Sequence, residues 1–235
     1  MTMTAPFRHC PIEAVIFDLD GTLLDSAAQI AAAINILFRA RGFETFDAAE
    51  IARLIGWGSR KLIETAFASR GSILSHEQIV VQEKLYLTNY ASIAERDTVF
   101  FPGAIDLIRT LAERELRLGI CTNKSERIAR TILKKAELLP MFAAIIGGDS
   151  GFGLKPLPAP LHAARQRLRT ISSRTLFVGD STIDHEAALA AEVPFALVRH
   201  PGHPTSMSPF EPEYQLGELS ELATIVDRRN KGAAL

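Results

Sequence analysis

The 235-residue sequence predicts an α/β fold: a doubly wound parallel sheet of Rossmann type with an inserted helical domain. Two observations carry this. Short continuous apolar runs alternate with helical patterns along most of the chain, and alternating strands and helices imply right-handed crossovers and a parallel sheet covered on both faces. One long stretch near the start breaks the alternation with helix after helix.

Taken in order, the first apolar run is Glu13 to Phe17, which ends at Asp18 and reads as a strand buried on both faces. Asp25 or Ser26 can then cap a helix carrying Ile30, Ile34, Leu37 and Phe38, which Gly42 ends. Asp47 caps a second helix, and Ser59 a third that stops by Gly71. Ser75-His76-Glu77-Gln78 forms a capping box for a fourth, running to about Ala94. An ordinary crossover does not need roughly seventy residues. Residues 26–97 are therefore read as a helical domain seated over the carboxyl edge of the sheet, hinged near Ser26 and Asp97. Residues 1–25 and 98–235 form the core domain. Beyond about Pro102 come strands over Leu116 to Cys121, Met141 to Ile146, Thr175 to Val178 and Phe195 to Val198. Helices lie between them, starting near Gly103, after Ser125, over Ala159–Leu168 and after Asp184, so the sheet has at least five strands. Arg199 to Pro212 is a proline-rich loop, and Arg228 to Leu235 reads as a frayed tail.

Composition narrows the function classes. A hydrophobic fraction of 47% is ample for a packed core, which excludes disorder for the bulk of the chain. With 26 basic against 27 acidic residues there is no electrostatic reason to expect a nucleic acid or a membrane surface as partner. Mean hydropathy is +0.12, yet the longest apolar stretch, Ala27 to Phe38, is interrupted by Gln29 and Asn35 and is shorter than a membrane span. The opening MTMTAPFRHC lacks the apolar run of a secretory signal, and two cysteines cannot build a disulfide framework. These features are read as those of a cytoplasmic protein; a monomer or small homo-oligomer is the expectation for its assembly.

Ligands of doubly wound sheets bind beyond the carboxyl ends of the strands. The residues that follow each apolar run there are Asp18, Asp20 and Asp25, then Thr122, Asn123 and Lys124, then Lys155-Pro156, then Asp180, Ser181 and Asp184. Asp18, Asp20 and Asp180 at one edge would repel one another and resist ionising. A hard divalent cation resolves this, and an all-oxygen donor set suits Mg²⁺. With Lys155 beside it, such a site attracts a phosphate group, which Thr122 and exposed backbone N–H groups can hold. One carboxylate is then free to attack phosphorus, and a second, two residues on, can handle the leaving-group proton.

Asp18-x-Asp20-Gly-Thr-Leu-x-Asp25 resembles the first motif of the haloacid dehalogenase superfamily. Thr122-Asn123 resembles its second, Lys155-Pro156 its third and Gly179-Asp180-Ser181-x-x-Asp184 its fourth. The order matches over nearly the whole chain. The strings Cys-Thr-Asn-Lys, Ile-Gly-Gly-Asp and Phe-Val-Gly-Asp-Ser, with the Gly56-Trp57-Gly58 turn, are most similar to the phosphoglycolate phosphatase branch. The resemblance implies that Asp18 is the nucleophile and a metal ligand, and that Asp20 serves as acid and base and binds metal through its carbonyl. It implies that Thr122 and Asn123 hold phosphoryl oxygens, that Lys155 neutralises charge, that Asp180 binds metal, and that Asp184 holds a metal-bound water or orients Lys155. Two positions depart from the family pattern. Pro158-Ala159-Pro160 stands where Asp often lies between the prolines, and Glu192 follows Ala191 where Gly is usual.

The implied activity is Mg²⁺-dependent hydrolysis of a small phosphomonoester, with 2-phosphoglycolate as the leading substrate and Arg60 as a candidate cation for its carboxylate. A phosphosugar mutase would need a general base in the inserted domain, for which His76 and Glu64 are the candidates. A phospho-accepting regulatory domain would need neither Asp20 nor an enclosing insert. Cys121 to Arg127 fits the spacing of a cysteine phosphatase loop but contains no glycine, so Cys121 is expected to be a buried strand residue. Asp149 is expected to be structural, and His200-x-x-His203 to be solvated rather than metal-bound.

Overall fold

The computed structural model describes residues 10–201 and 211–232. Six strands, β1 (Ala14–Phe17), β2 (Arg117–Cys121), β3 (Phe142–Ile146), β4 (Thr175–Gly179), β5 (Phe195–Val198) and β6 (Tyr214–Leu216), form one sheet in the order β3-β2-β1-β4-β5-β6. Every pairing is parallel. Strand order therefore reverses between β1 and β4, and a crevice opens there at the carboxyl ends. Phe17 pairs with Ile120 on one side and Val178 on the other, so the residues just after each strand converge on that crevice.

The apolar runs are continuous because both faces of the sheet are covered. Val15 and Phe17 point to one face, where they join α5 (Ala104–Glu113), α6 (Glu126–Lys135) and α9 (Glu221–Gly232). Ala14 and Ile16 point to the other, against α7 (Ala159–Arg167) and α8 (Thr182–Ala190). Between β1 and α5 lie α1 (Ala27–Arg39), α2 (Ala48–Ala52), α3 (Ser59–Ser69) and α4 (His76–Asp97). Their core, with Ile34, Phe38, Ile63 and Phe67, is continuous with the first face of the sheet. The buried amide of Asn35 braces this insert, bonding the N–H and the C=O of Phe46 at 2.8 Å each. The two crossings into the insert lie side by side. Asp25 N–H donates to Val99 O and Phe101 N–H to Leu23 O, while Gln29 Nε2 donates to Asp97 O.

Several expectations need correction. Ser59 does not cap α3: Gly58 occupies the cap position, and the Ser59 hydroxyl donates to Glu83 at 2.6 Å. α8 begins at Thr182, two residues ahead of Asp184, because Ser181 caps it in a reciprocal capping box with Asp184 at the third position. α4 continues to Asp97, one turn beyond Ala94. β6 is a strand absent from the apolar-run reading, since its residues are only partly buried. Arg228 and the residues up to Gly232 are helical rather than frayed. Arg229 is buried and donates to Cys10 O, and Asn230 bonds both the N–H and the C=O of Ile12. Residues 202–210 and 233–235, including His203 and most of the proline-rich loop, lie outside the described residues.

Glu192, where the family pattern has glycine, sits at φ 55°, in the left-handed region that a side chain disfavours. Glu192→Gly is therefore expected to stabilise the fold by about 0.5–1 kcal/mol, the relief of strain exceeding the added freedom of the unfolded chain. Urea midpoints measure this, and an unchanged or lowered midpoint would contradict it.

Candidate active site

The β1/β4 crevice opens into a cavity of about 500 Å³ between sheet and insert. Asp18, Asp20, Thr122, Lys155, Asp180 and Asp184 all line it, so the sequence-predicted acids and their cation are brought together. The chain turns sharply after Asp18. Gly21 adopts φ 85°, and a Cβ there would lie 2.3 Å from Asp180 Oδ2, so only glycine lets the loops after β1 and β4 approach this closely. Thr22 Oγ1 donates to Asp180 Oδ1 at 2.9 Å, which orients that carboxylate toward the β1 loop.

At the centre is the buried ammonium of Lys155, 2.8 Å from Asp18 Oδ1 and 2.6 Å from Asp184 Oδ1. The other oxygen of Asp184 accepts from the Ser181 N–H and hydroxyl. Asp184 thus bonds Lys155 directly, the contact that orienting Lys155, one of the two roles the resemblance implies, would require. Burial alone would favour the neutral amine, but Asp18 and Asp184 outweigh it and hold Lys155 protonated, above the ordinary lysine range. Burial also pushes Asp18 up to about 6, against the pull of Lys155 and with the repulsion of Asp184. Asp180 is driven well above the usual carboxylate range, first by burial and then by Asp184 and Asp18.

One carboxylate oxygen from each of Asp18, Asp180 and Asp184 lies within 4.8 Å of the others. This acidic set fits a hard divalent cation, whose charge would relieve the repulsion that burial concentrates.

Other residues depart from expectation. Asn123 does not present its amide to a phosphate. Its two N–H groups are spent on Gly56 O (2.7 Å) and Lys155 O (2.9 Å), and its oxygen accepts from Lys155 N–H. It is a clip that shapes the Lys155 loop. Arg60 is absent from the cavity wall: it is exposed and paired with Glu83 at 3.0 Å. The arginine of the insert that lines the cavity is Arg53, alongside Trp57, Ser59, Tyr86 and Tyr90. His76 is exposed at the start of α4, and Glu64 pairs with Lys61; neither lines the cavity. Cys121 is buried, and burial pushes its thiol up to about 12, which removes it as a nucleophile. Asp149 accepts from Ser125 Oγ and Glu126 N–H and so anchors the start of α6. His200 stacks on Phe101, its Nε2 lying 2.9 Å from Thr22 O.

The motifs give Lys124 no role, yet it is buried in the site and holds both oxygens of Asp20. A lysine directly after Thr122-Asn123 was the only available signal.

A family model described as "Haloacid dehalogenase-like hydrolase" matches residues 15–198. A phosphoglycolate phosphatase from Cereibacter sphaeroides is 42% identical over 184 residues, covering 78% of this chain and 83% of the relative. Another, from Agrobacterium fabrum, is 31% identical over 221 residues, covering 93% and 95%. Among solved structures, CbbY from Rhodobacter sphaeroides in complex with phosphate superposes with a TM-score of 0.79 at 24% identity, over 92% of this chain and 99% of that one, a likeness of fold alone. No helix among the described residues is long and apolar enough to cross a membrane.

The raised Asp18 pKa has a consequence for stability. The native state binds this proton more tightly than the unfolded chain, whose value is near 3.8. The contribution is therefore intact below about pH 4 and is lost as pH rises through about 6. In chelator, stability relative to Asp18→Asn should fall by on the order of 3 kcal/mol between pH 4 and pH 7. Added Mg²⁺, which favours the ionised acids, should restore it at pH 7. Urea midpoints of both proteins would test this, and parallel pH curves in chelator would refute it.

Proposed function

The chain belongs to the haloacid dehalogenase-like hydrolases, and from that premise we propose that it hydrolyses a small phosphomonoester through an aspartyl phosphate on Asp18, with 2-phosphoglycolate as the preferred substrate. The observation that carries the reading is a buried carboxylate, Asp18, held by Lys155 at the sheet's switch point, with a second acid two residues on, in the cavity between sheet and insert. As a family member with phosphoglycolate phosphatases among its relatives, the protein is a phosphoric monoester hydrolase.

Lys155 takes Oδ1 of Asp18 and leaves Oδ2 for phosphorus. That oxygen forms a bond to phosphorus as the bond to the leaving alkoxide breaks, and Asp20 gives its proton to the departing oxygen. Asp20 then takes a proton from water, whose oxygen attacks phosphorus. The acyl-phosphate bond breaks, phosphate leaves and the Asp18 carboxylate is restored. Thr122, buried at the cavity floor, accepts from Lys124 N–H at 3.2 Å, so its own hydroxyl hydrogen can turn to a phosphoryl oxygen. Asp18 and Asp180 would hold a divalent cation directly, with Asp184 behind them. Mg²⁺ is our choice because every donor is oxygen. Such an ion would supply the positive charge that lets an anionic acid meet an anionic phosphate.

Residues 26–97 act as a cap that opens for entry and closes to exclude water. The substrate preference rests on the relatives' names and on the cavity wall. Glycolate leaves with a carboxylate, and Arg53 is the cap cation lining the cavity. A mutase is disfavoured because its candidate bases, His76 and Glu64, stand outside the cavity.

Phosphate release over a panel of small esters, with and without chelator, tests the proposal. Asp18→Asn should abolish turnover with the circular dichroism unchanged, and chelator should do the same reversibly. Retained turnover in Asp18→Asn would end the covalent mechanism. Arg53→Ala should raise KM for 2-phosphoglycolate about 10-fold or more, the worth of a charge-assisted hydrogen bond, and leave p-nitrophenyl phosphate unaffected. Equal effects on both esters would remove Arg53 from carboxylate recognition.

A further inference from the structure

No step above uses Lys124, although its side chain is only 4% exposed. An ammonium has three N–H donors, and here all three are spent: Asp20 Oδ1 at 2.6 Å, Asp20 Oδ2 at 2.8 Å and the hydroxyl of Tyr90 at 2.5 Å. Tyr90 belongs to α4, in the cap. Its ring lies under the same ammonium at 4.4 Å and stacks on Tyr86 at 5.6 Å and 9°, which fixes where the hydroxyl can be. The preceding residue, Asn123, repeats the pattern, joining the cap's Gly56 carbonyl to the backbone of Lys155. Two consecutive residues of the β2 loop thus each hold a cap group on one side and a chemical group of the site on the other.

We propose that Lys124 is a positioning residue for Asp20, and that Tyr90 completes its grip only when the cap is closed. The inference rests on the phosphatase reading, since it concerns the acid that serves the leaving group. Closure brings the Tyr90 hydroxyl to the ammonium, and the tethered ammonium holds the Asp20 carboxylate at the mouth of the crevice. When the cap lifts, the ammonium loses one of three partners and the carboxylate gains freedom to turn toward water. Proton delivery is thereby tied to a sealed cavity, where the aspartyl phosphate meets only the water Asp20 activates.

The test compares Lys124→Met, Lys124→Arg and Tyr90→Phe on 2-phosphoglycolate and on p-nitrophenyl phosphate. Departure of p-nitrophenolate needs no proton. In Lys124→Met the kcat for 2-phosphoglycolate should fall on the order of 10²-fold, the usual worth of a placed acid or base, with KM nearly unchanged. The pre-steady-state burst of p-nitrophenolate should keep its rate while the following steady state slows. Lys124→Arg should recover part of the loss, and Tyr90→Phe, which keeps the ring and removes one hydrogen bond, should cost about 5-fold in kcat. Trp57, the only tryptophan, neighbours Gly56 in the cap, so its emission reports closure on inorganic phosphate. That response should need more phosphate in Tyr90→Phe than in wild type.

Equal loss of burst and steady state, a change in KM alone, or wild-type kcat in Lys124→Met would overturn the positioning role. If Lys124→Met fails to fold, Lys124→Arg and Tyr90→Phe decide by the same readouts. If the wild type turns over neither ester, the phosphatase reading has failed. The Trp57 titration then still decides whether Tyr90 ties closure to the β2 loop: an identical phosphate response in Tyr90→Phe says that it does not.

Discussion

The site depends on one buried ammonium. Lys155 stands between Asp18 and Asp184, with Asp180 close enough that oxygens from the three acids fit within 4.8 Å. Three carboxylates against one ammonium leave two negative charges when all are ionised, in a place where desolvation is costly. Burial answers by raising Asp18 to about 6 and Asp180 well above the usual carboxylate range, so that each holds its proton to higher pH than a free carboxylate. A divalent cation held by Asp18 and Asp180 would answer in the other way, supplying charge that offsets these two and favours the ionised Asp18. The local backbone serves this cluster. Gly21 makes room for Asp180, and a Cβ at Gly179 would lie 2.5 Å from Asp184 Cβ, so the turns after β1 and β4 can close on each other.

The site lies where it does because of topology. Parallel strands deliver their carboxyl ends to one edge, and the 3-2-1-4-5-6 order opens a crevice between β1 and β4. Asp18 follows β1, Asp180 follows β4, Thr122 follows β2, and Lys155 comes from the loop after β3. Residues as far apart in sequence as Thr22 and Asp180 therefore meet with little loop between strand and side chain. Strand register holds them to the precision that the chemistry requires.

Much of this is legible in the amino-acid sequence. Strands buried on both faces are written as continuous apolar runs, so four of the six agree with their sequence bounds to within a residue or so, and the fifth, Phe195–Val198, agrees without change. β6 carries no such mark because its three residues, Tyr214, Gln215 and Leu216, are half-buried, exposed and buried in turn and form no apolar run. The motif acids and Lys155 were legible because order and spacing encode them. The rest depends on partners remote in the chain. Lys124 and Asp20 are 104 positions apart, and nothing local to Lys124 announces the contact. Arg53 directly follows α2 and Arg60 lies on α3, and which of them reaches the cavity depends on tertiary packing, since Glu83 of α4 captures Arg60. The family's motif implies that Asn123 holds phosphoryl oxygens, whereas its amide is consumed by backbone groups of two other loops. Ser181 displaced Asp184 as the cap because a Ser followed three residues on by Asp satisfies both backbone donors, leaving the far oxygen of Asp184 for Lys155.

The cap is best understood as part of the electrostatics. Its inner wall is largely apolar, with Ile30, Leu62 and Tyr86 facing the cavity, and its core runs on into the core above the sheet. An apolar roof lowers the local dielectric, which strengthens every charge pair beneath it and raises the cost of any charge left unpaired. On the proposed motion, an open cap would let water screen Asp18, Asp20, Lys124 and Lys155 from one another. With it closed, each must have its partner, and the pairs Lys155–Asp18 and Lys124–Asp20 supply them. Two hydrogen bonds from the cap, at Gly56 and Tyr90, end on the loop that anchors both pairs. On the proposed closure, sealing the cavity and ordering its charges would be one event rather than two.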